Sequence, residues 1–167
     1  MTTLILTLVG SDRPGLVAAV ADVVDAHGGN WENSQLAELA GVFAGVVQVS
    51  VAEDRASELT TTLQVLDGLT VAVHAGTTAT ESASQPVSLQ ILGNDRPGIV
   101  REISSVLRTH QLSIDDMTTT TRDAAMAGGR LFEASVTAEV PASADLDALR
   151  ADLERLATEI QVDITLD

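Results

Sequence analysis

One eight-residue segment of this chain is written twice. Gly10-Ser11-Asp12-Arg13-Pro14-Gly15-Leu16-Val17 returns 83 residues downstream as Gly93-Asn94-Asp95-Arg96-Pro97-Gly98-Ile99-Val100. The register runs on without gaps to Ser34 and Met117, and eight of the 25 positions from Gly10 to Ser34 are identical. In a chain of 167 residues this limits the fold to one small unit used twice.

The hydrophobic pattern repeats with the motif. Leu4, Leu6 and Leu8 stand opposite Val87, Leu89 and Ile91, the period-two alternation of a strand with one buried face. After the motif, Leu16, Val17, Val20, Val23 and Val24 match Ile99, Val100, Ile103, Val106 and Leu107, the stripe of a helix lying on a sheet. Asp12 and Asp95 are placed as N-caps, and Pro14 and Pro97 suit the first helical turn. Gly28-Gly29 can end the first helix in a left-handed conformation, whereas the second ends less cleanly at His110-Gln111.

Two strand-like runs follow in each copy, 30–39 and 42–52, then 113–123 and 130–139, and each pair reads as a hairpin. The second connection, around 123–129, is about six residues longer and is expected to project further and move more. A second helix carries Leu59, Leu63 and Leu66, matched by Leu149, Leu153 and Leu156, with Asp54 and either Ser143 or Asp145 as caps. Leu69, Val71 and Val73, against Ile160, Val162 and Ile164, alternate as closing strands.

Each half therefore reads β-α-β-β-α-β. The expected class is α+β, two ferredoxin-like domains in tandem, each an antiparallel four-stranded sheet with both helices on one face. The Thr-, Ser- and Ala-rich stretch before Pro86 is a linker, which places the first domain at 1–78, the linker at 79–85 and the second domain at 86–167.

The repeated Gly-x-Asp-Arg-Pro-Gly puts a strand end, a tight turn and a helix start within six residues. Unpaired backbone N–H groups there can receive a carboxylate, Gly15 and Gly98 permit close approach, and Asp12 and Asp95 can accept from an ammonium group. The residues fit a zwitterion site and equally a well-capped helix start. Arg13 and Arg96 fit anion binding or a structural pairing with a nearby acid.

The motif, followed by Gly28-Gly29-Asn30-Trp31-Glu32-Asn33-Ser34-Gln35-Leu36, resembles the amino-acid-binding ACT domain. More narrowly, with Leu36-Ala37-Glu38-Leu39 and Val140-Pro141-Ala142-Ser143, the chain resembles the tandem-ACT glycine cleavage system transcriptional repressor family over nearly its whole length. The resemblance implies a non-enzymatic regulator that binds a small amino acid, glycine or serine favoured, and modulates a partner protein such as a transcriptional regulator. It also implies ligand-binding positions: Asp12, Arg13, Gly15, Leu16 and Asn30 in the first half, and Asp95, Gly98, Ile99 and Ser113 in the second. Such sites commonly lie across an interface between domains. Ser113 replaces the expected Asn, so the first half is the better candidate. The alternative is an adaptor that uses the same surfaces without a ligand.

Composition narrows the partners. With 24 acidic residues, nine Arg, no Lys and a formal net charge of −15, the chain lacks the cations that direct binding to nucleic acid or an anionic membrane requires. The absence of Cys removes thiolate metal sites and cysteine nucleophiles, and no apolar run is long enough for a membrane span, so a cytoplasmic location is expected. His27 and His110 read as helix-end cations rather than ligands, and adjacent Asp115 and Asp116 should point to opposite faces of a strand. Ser104, Ser105 and the Thr118 to Thr121 run have no base and orienting acid at a recognisable spacing. The expectations are no catalytic residue, no metal, no cofactor and assembly as a homodimer.

Overall fold

Strand β1 (Thr2–Ser11) organises the first unit: Leu4, Leu6 and Leu8 are buried, and Thr3, Ile5 and Thr7 alternate with them toward the opposite face. The computed structural model describes residues 1–77, 84–124 and 128–167. These fall into two units, Met1–Ala79 and Thr80–Asp167.

In the first unit β1 leads to α1 (Leu16–Ala26), β2 (Asn30–Leu39), β3 (Val42–Val51), a single 3-10 turn over Glu53–Arg55, α2 (Ala56–Gln64) and β4 (Thr70–Ala75). The second runs β5 (Ser84–Asn94), α3 (Ile99–Thr109), β6 (Ser113–Asp123), β7 (Arg130–Pro141), α4 (Leu146–Ile160) and β8 (Val162–Leu166). Both sheets are four-stranded and antiparallel, in the orders β2-β3-β1-β4 and β6-β7-β5-β8. This is the ferredoxin-like α+β architecture that the repeat predicts.

Each unit has its own core between sheet and helices. In the first, Leu6, Val47, Val49 and Val71 meet Leu16, Val20 and Val24 of α1 and Leu59 and Leu63 of α2. In the second, Leu89, Ile91 and Val136 meet Ile99, Ile103 and Leu107 of α3 and Leu149, Leu153 and Leu156 of α4. Burying each such side chain contributes about 1.5–3 kcal/mol. An exposed ion pair contributes only about 0–1 kcal/mol. The aliphatic alternation therefore specifies the fold.

The helix starts differ from the expectation. Neither Asp12 nor Asp95 caps a helix: the N-cap positions are Gly15 and Gly98, both left-handed, with no side-chain cap. Gly15 has φ 89° and ψ 0°, the third-position geometry of a type II turn, for which Pro14 at the second position is the favoured partner. Arg13-Pro14-Gly15-Leu16 is thus a turn that hands the chain to α1, and the prolines precede the helices. Asp54 lies in the 3-10 turn, and α2 begins after Arg55 without a side-chain cap. Asp145 does cap α4, accepting from the N–H groups of Asp147 and Ala148 at 3.0 Å each.

Other boundaries shift in detail. Ile160 ends α4 instead of opening the last strand, because Gln161 turns the chain with φ 55°. The first helix ends through left-handed Gly28 as expected, and the second uses Gln111 in the same conformation. Of the 79–85 linker, residues 79–83 lie outside the described residues, while Ser84 and Gln85 pair with Pro141 and Val140 in β5. In the longer 123–129 connection, residues 125–127 also lie outside them. A register shift in each edge strand, between Trp31 and Asn33 and between Ile114 and Asp116, interrupts the alternation assumed for Asp115 and Asp116.

Candidate functional site

The repeated turns stand at the ends of β1 and β5, where the chain enters a helix. Asp12 donates its backbone N–H to the Gly41 carbonyl at 2.9 Å, and Asp95 donates to Arg130 at 2.8 Å, so each turn is tied to the hairpin beside it. The first bond within α1 runs from the Ala19 N–H to the Gly15 carbonyl at 2.9 Å. The N–H groups of Leu16, Val17 and Ala18 therefore precede the helical ladder. Their aligned dipoles favour negative charge at this end.

The side chains of Leu16 and Ile99 are core residues, 3% and 2% exposed, so at these positions only the backbone faces a ligand. Asp12, Arg13 and Gly15 surround the start of α1 and are exposed. Among the described residues, a Cβ built on Gly15 would meet nothing within 4 Å, and α1 has no acidic residue in its first turn. The first turn is open.

The second turn is not. Glu102, in the first turn of α3, takes a hydrogen bond from Arg96 Nη2 at 2.5 Å and another from Nη1 at 3.5 Å. Its Oε1 lies 3.6 Å from where a Cβ on Gly98 would sit. A carboxylate of the protein itself thus stands beside the helix N-terminus and draws the motif arginine onto it. Arg13 instead reaches outward, donating to the Asp67 carbonyl at 2.7 Å with the Asp67 carboxylate 3.8 Å away. Both arginines brace their turns, by different partners.

Asn30 and Ser113 do not join these groups within their own units. Asn30 pairs with Ser50, which pairs with Thr3 at the beginning of β1, whereas Asp12 follows the end of that strand. Eight residues of strand separate the two ends, about 27 Å at 3.4 Å per residue. Ser113 is likewise aligned with Glu139 and Pro86, at the far end of β5 from Asp95. Asp12, Arg13 and Gly15 come together, as do Asp95 and Gly98. The strand-opening residues stand apart from both groups.

Glu102 and its pairing with Arg96 were missed by reading the motif alone. The signal is in the repeat, since Glu102 stands where the first copy has Ala19. Asp67 carries no comparable signal, because it comes to Arg13 only through the fold.

The two helix-end histidines also diverge. His27 donates from Nδ1 to the Val23 carbonyl at 2.7 Å and holds Nε2 3.3 Å from the Thr62 hydroxyl on α2. His110 instead holds Nε2 2.8 Å from the Asp152 carboxylate on α4. That hydrogen bond, then the neighbouring Arg155 guanidinium, holds the Asp152 carboxyl below its ordinary 3.8, against the opposing effect of desolvation. Each histidine ties one helix to the other. No group of three or more metal-ligating side chains gathers among the described residues. None of the helices among them is long and apolar enough to cross a membrane.

Comparison with known proteins agrees with this arrangement. Residues 2–74 match one ACT domain family and residues 81–163 match another. The chain is similar to the glycine cleavage system transcriptional repressor of Escherichia coli (strain K12), 28% identical over 163 residues that cover 94% of this chain and 85% of that protein. The repressor of the same name from Shigella flexneri matches equally, at 28% over 163 residues with the same 94% and 85% coverage. Among solved structures, an unknown protein from Galdieria sulphuraria superposes with a TM-score of 0.90 at 26% identity, covering 99% of this chain and 97% of that one. Two matched domains, each a complete βαββαβ unit opening with the same turn, make this chain a member of the ACT-domain family that carries two ACT domains in tandem.

Proposed function

We propose that the protein is a regulator that binds a small amino acid, glycine or serine, at the first-unit turn and thereby modulates a partner protein, in the manner that the name of its repressor relatives suggests. The observation that carries this reading is the open start of α1. Three backbone N–H groups meet a carboxylate there, left-handed Gly15 lets it come close, and Asp12 stands beside them for the ammonium group. A small side chain is favoured because Leu16, the apolar residue that follows Gly15, is buried in the core.

In this reading Asn30 enters from the first unit of a second copy of the chain, since a strand's length parts it from the turn of its own unit. The partner is reached through protein contacts, because an excess of 24 acids over nine Arg repels nucleic acid. An adaptor without a ligand is the second reading, favoured by that same separation of Asn30 from Asp12.

A thermal-shift screen of the common amino acids distinguishes the two. Ligand at 100 times its dissociation constant stabilises the folded form by about 2.7 kcal/mol. Glycine or serine should raise the midpoint, and no responder among the amino acids would favour the adaptor. Asp12→Ala and Asn30→Ala should each weaken calorimetric affinity while leaving the fold intact. Unchanged affinity in both variants would place the site elsewhere.

A further inference from the structure

The loop between α2 and β4 lies against the open turn of the first unit, and one side chain of that turn reaches onto it. Leu66 and Leu69 fasten the loop to the core, Leu69 as a buried member and Leu66 packed against it. Between them Asp67 and Gly68 form the crown, with Gly68 left-handed at φ 78°. Arg13 Nη2 donates to the Asp67 carbonyl at 2.7 Å. Its guanidinium covers the bare side of Gly68, with Nη2, Nε and Cζ at 2.6, 3.0 and 3.1 Å from where a Cβ would sit. Gly10, just before the turn, makes room for the Gly68 carbonyl in the same way. The absence of a side chain at both glycines seats the arginine of the turn on the loop.

The second unit has no equivalent joint. Continued from Leu59 and Leu63 against Leu149 and Leu153, the repeat sets residues 65–68 beside 155–158, where α4 is still helical. Arg96 turns to Glu102 instead. Of the two turns, only the open one is tied to a loop in this way.

The tie is weak. The Asp67 carboxylate is fully exposed and 3.8 Å from a half-exposed guanidinium, so solvent screens the pair and it adds little to the one hydrogen bond. A carboxylate held by the N–H groups of Leu16, Val17 and Ala18 lies beside the same turn and offers the guanidinium charged oxygens in place of a neutral carbonyl. Such charge-assisted bonds are roughly twice as strong as neutral ones. The arginine gains more from the ligand than from the loop.

We propose that Arg13 couples the first turn to this loop: when an amino acid binds, Arg13 leaves Asp67 for the ligand carboxylate and releases the crown. The coupling rests on the first turn being an amino-acid site. The loop begins at Val65, which is 76% exposed, so occupancy of the turn reaches an apolar group on the surface. The link is reciprocal, and whatever holds the loop against Arg13 weakens the amino acid by the same factor.

Calorimetric titration of glycine and of serine into the full chain and a set of variants tests this. Asp67→Ala removes the carboxylate and Gly68→Ala crowds the guanidinium off its seat, so each should raise affinity about threefold, the scale of an exposed ion pair. Arg13→Ala should lower affinity about tenfold, the loss of a charged hydrogen bond. In the Arg13→Ala background both gains should vanish, since no guanidinium remains to be freed. The Gly68 amide resonance should shift with ligand in the wild type and hold its position in Arg13→Ala. Gains that survive without Arg13, as plain relief of charge repulsion would give, overturn the coupling and leave the amino-acid site standing. So do an absence of gain with Arg13 present and a Gly68 resonance that ligand does not move. Failure of both glycine and serine to bind the wild type removes the site itself, and the coupling with it. Asp67→Ala alters a fully exposed side chain and carries the test alone if left-handed Gly68 does not tolerate alanine.

Discussion

Two turns share Gly-x-Asp-Arg-Pro-Gly and the same left-handed glycine, yet one is open and the other is closed by its own protein. At the first, Arg13 leans away to Asp67 and the start of α1 is bare. At the second, Arg96 folds back onto Glu102 beside the start of α3. The backbone is common to both, so the difference comes from a residue four places after the glycine, Ala19 against Glu102, that belongs to no motif. A motif sets the geometry of a helix entrance, and its neighbours decide whether the entrance is available.

Six substitutions test this comparison, taken in four steps from the largest effect to the smallest. Gly10→Ala should cost about 3 kcal/mol, at the upper end for an overpacked site. Its Cβ would collide with the backbone carbonyl of Gly68, which cannot turn aside, on the loop that anchors Arg13. Gly93→Ala meets the Val162 side chain instead and should cost less in chemical denaturation; equal losses would mean that the two turns are equally rigid.

Glu102→Ala should free Arg96 and uncover the start of α3, at a stability cost of no more than about 1 kcal/mol for so exposed a pair. A second, weaker amino-acid site should then be detectable by calorimetry. If stability falls and no site appears, the closed turn is closed for another reason.

Gln111→Gly relieves a side chain held at φ 61°, where the first unit already has Gly28. It should stabilise the second unit by about 0.5–1 kcal/mol in thermal denaturation. A destabilised variant would show that the Gln111 side chain makes a contact worth more than the strain.

Asp152→Asn separates the two histidine ties. The Asp152 carboxyl is held below 3.8 by His110 and Arg155, so its stabilisation is complete above the unfolded value and is lost as pH falls through the folded one. The variant should lose stability at neutral pH and lose less than the wild type on acidification below about pH 4. Thr62→Ala, at the corresponding tie in the first unit, should show no such acid dependence.

The fold was legible because aliphatic alternation and helical stripes survive in both copies, and the strand boundaries of β2 and β6 follow them to the residue. The helix caps were misread at Asp12 and Asp95, since Pro14 with a left-handed glycine makes a turn where a simple capped start was expected. The turn residues were legible as a cluster. The place of Asn30 was implied by topology, because a strand that follows a returning helix must begin at the opposite end of the sheet. Which turn is open was written in Ala19 and Glu102, but only a position-by-position comparison of the copies shows it. Asp67 was not legible, because two strands and two helices lie between it and Arg13 in the chain.

The central claim is that the bare start of α1 receives a small amino acid. Calorimetric titration of glycine and of serine into the wild type and into Ala19→Glu tests it most directly, since the substitution gives the first turn the carboxylate that closes the second. Saturable binding of at least one of the two to the wild type, weakened about tenfold or about 1.4 kcal/mol by the added carboxylate, is the predicted result. Equal affinity in the two proteins, or no binding to the wild type, would contradict it.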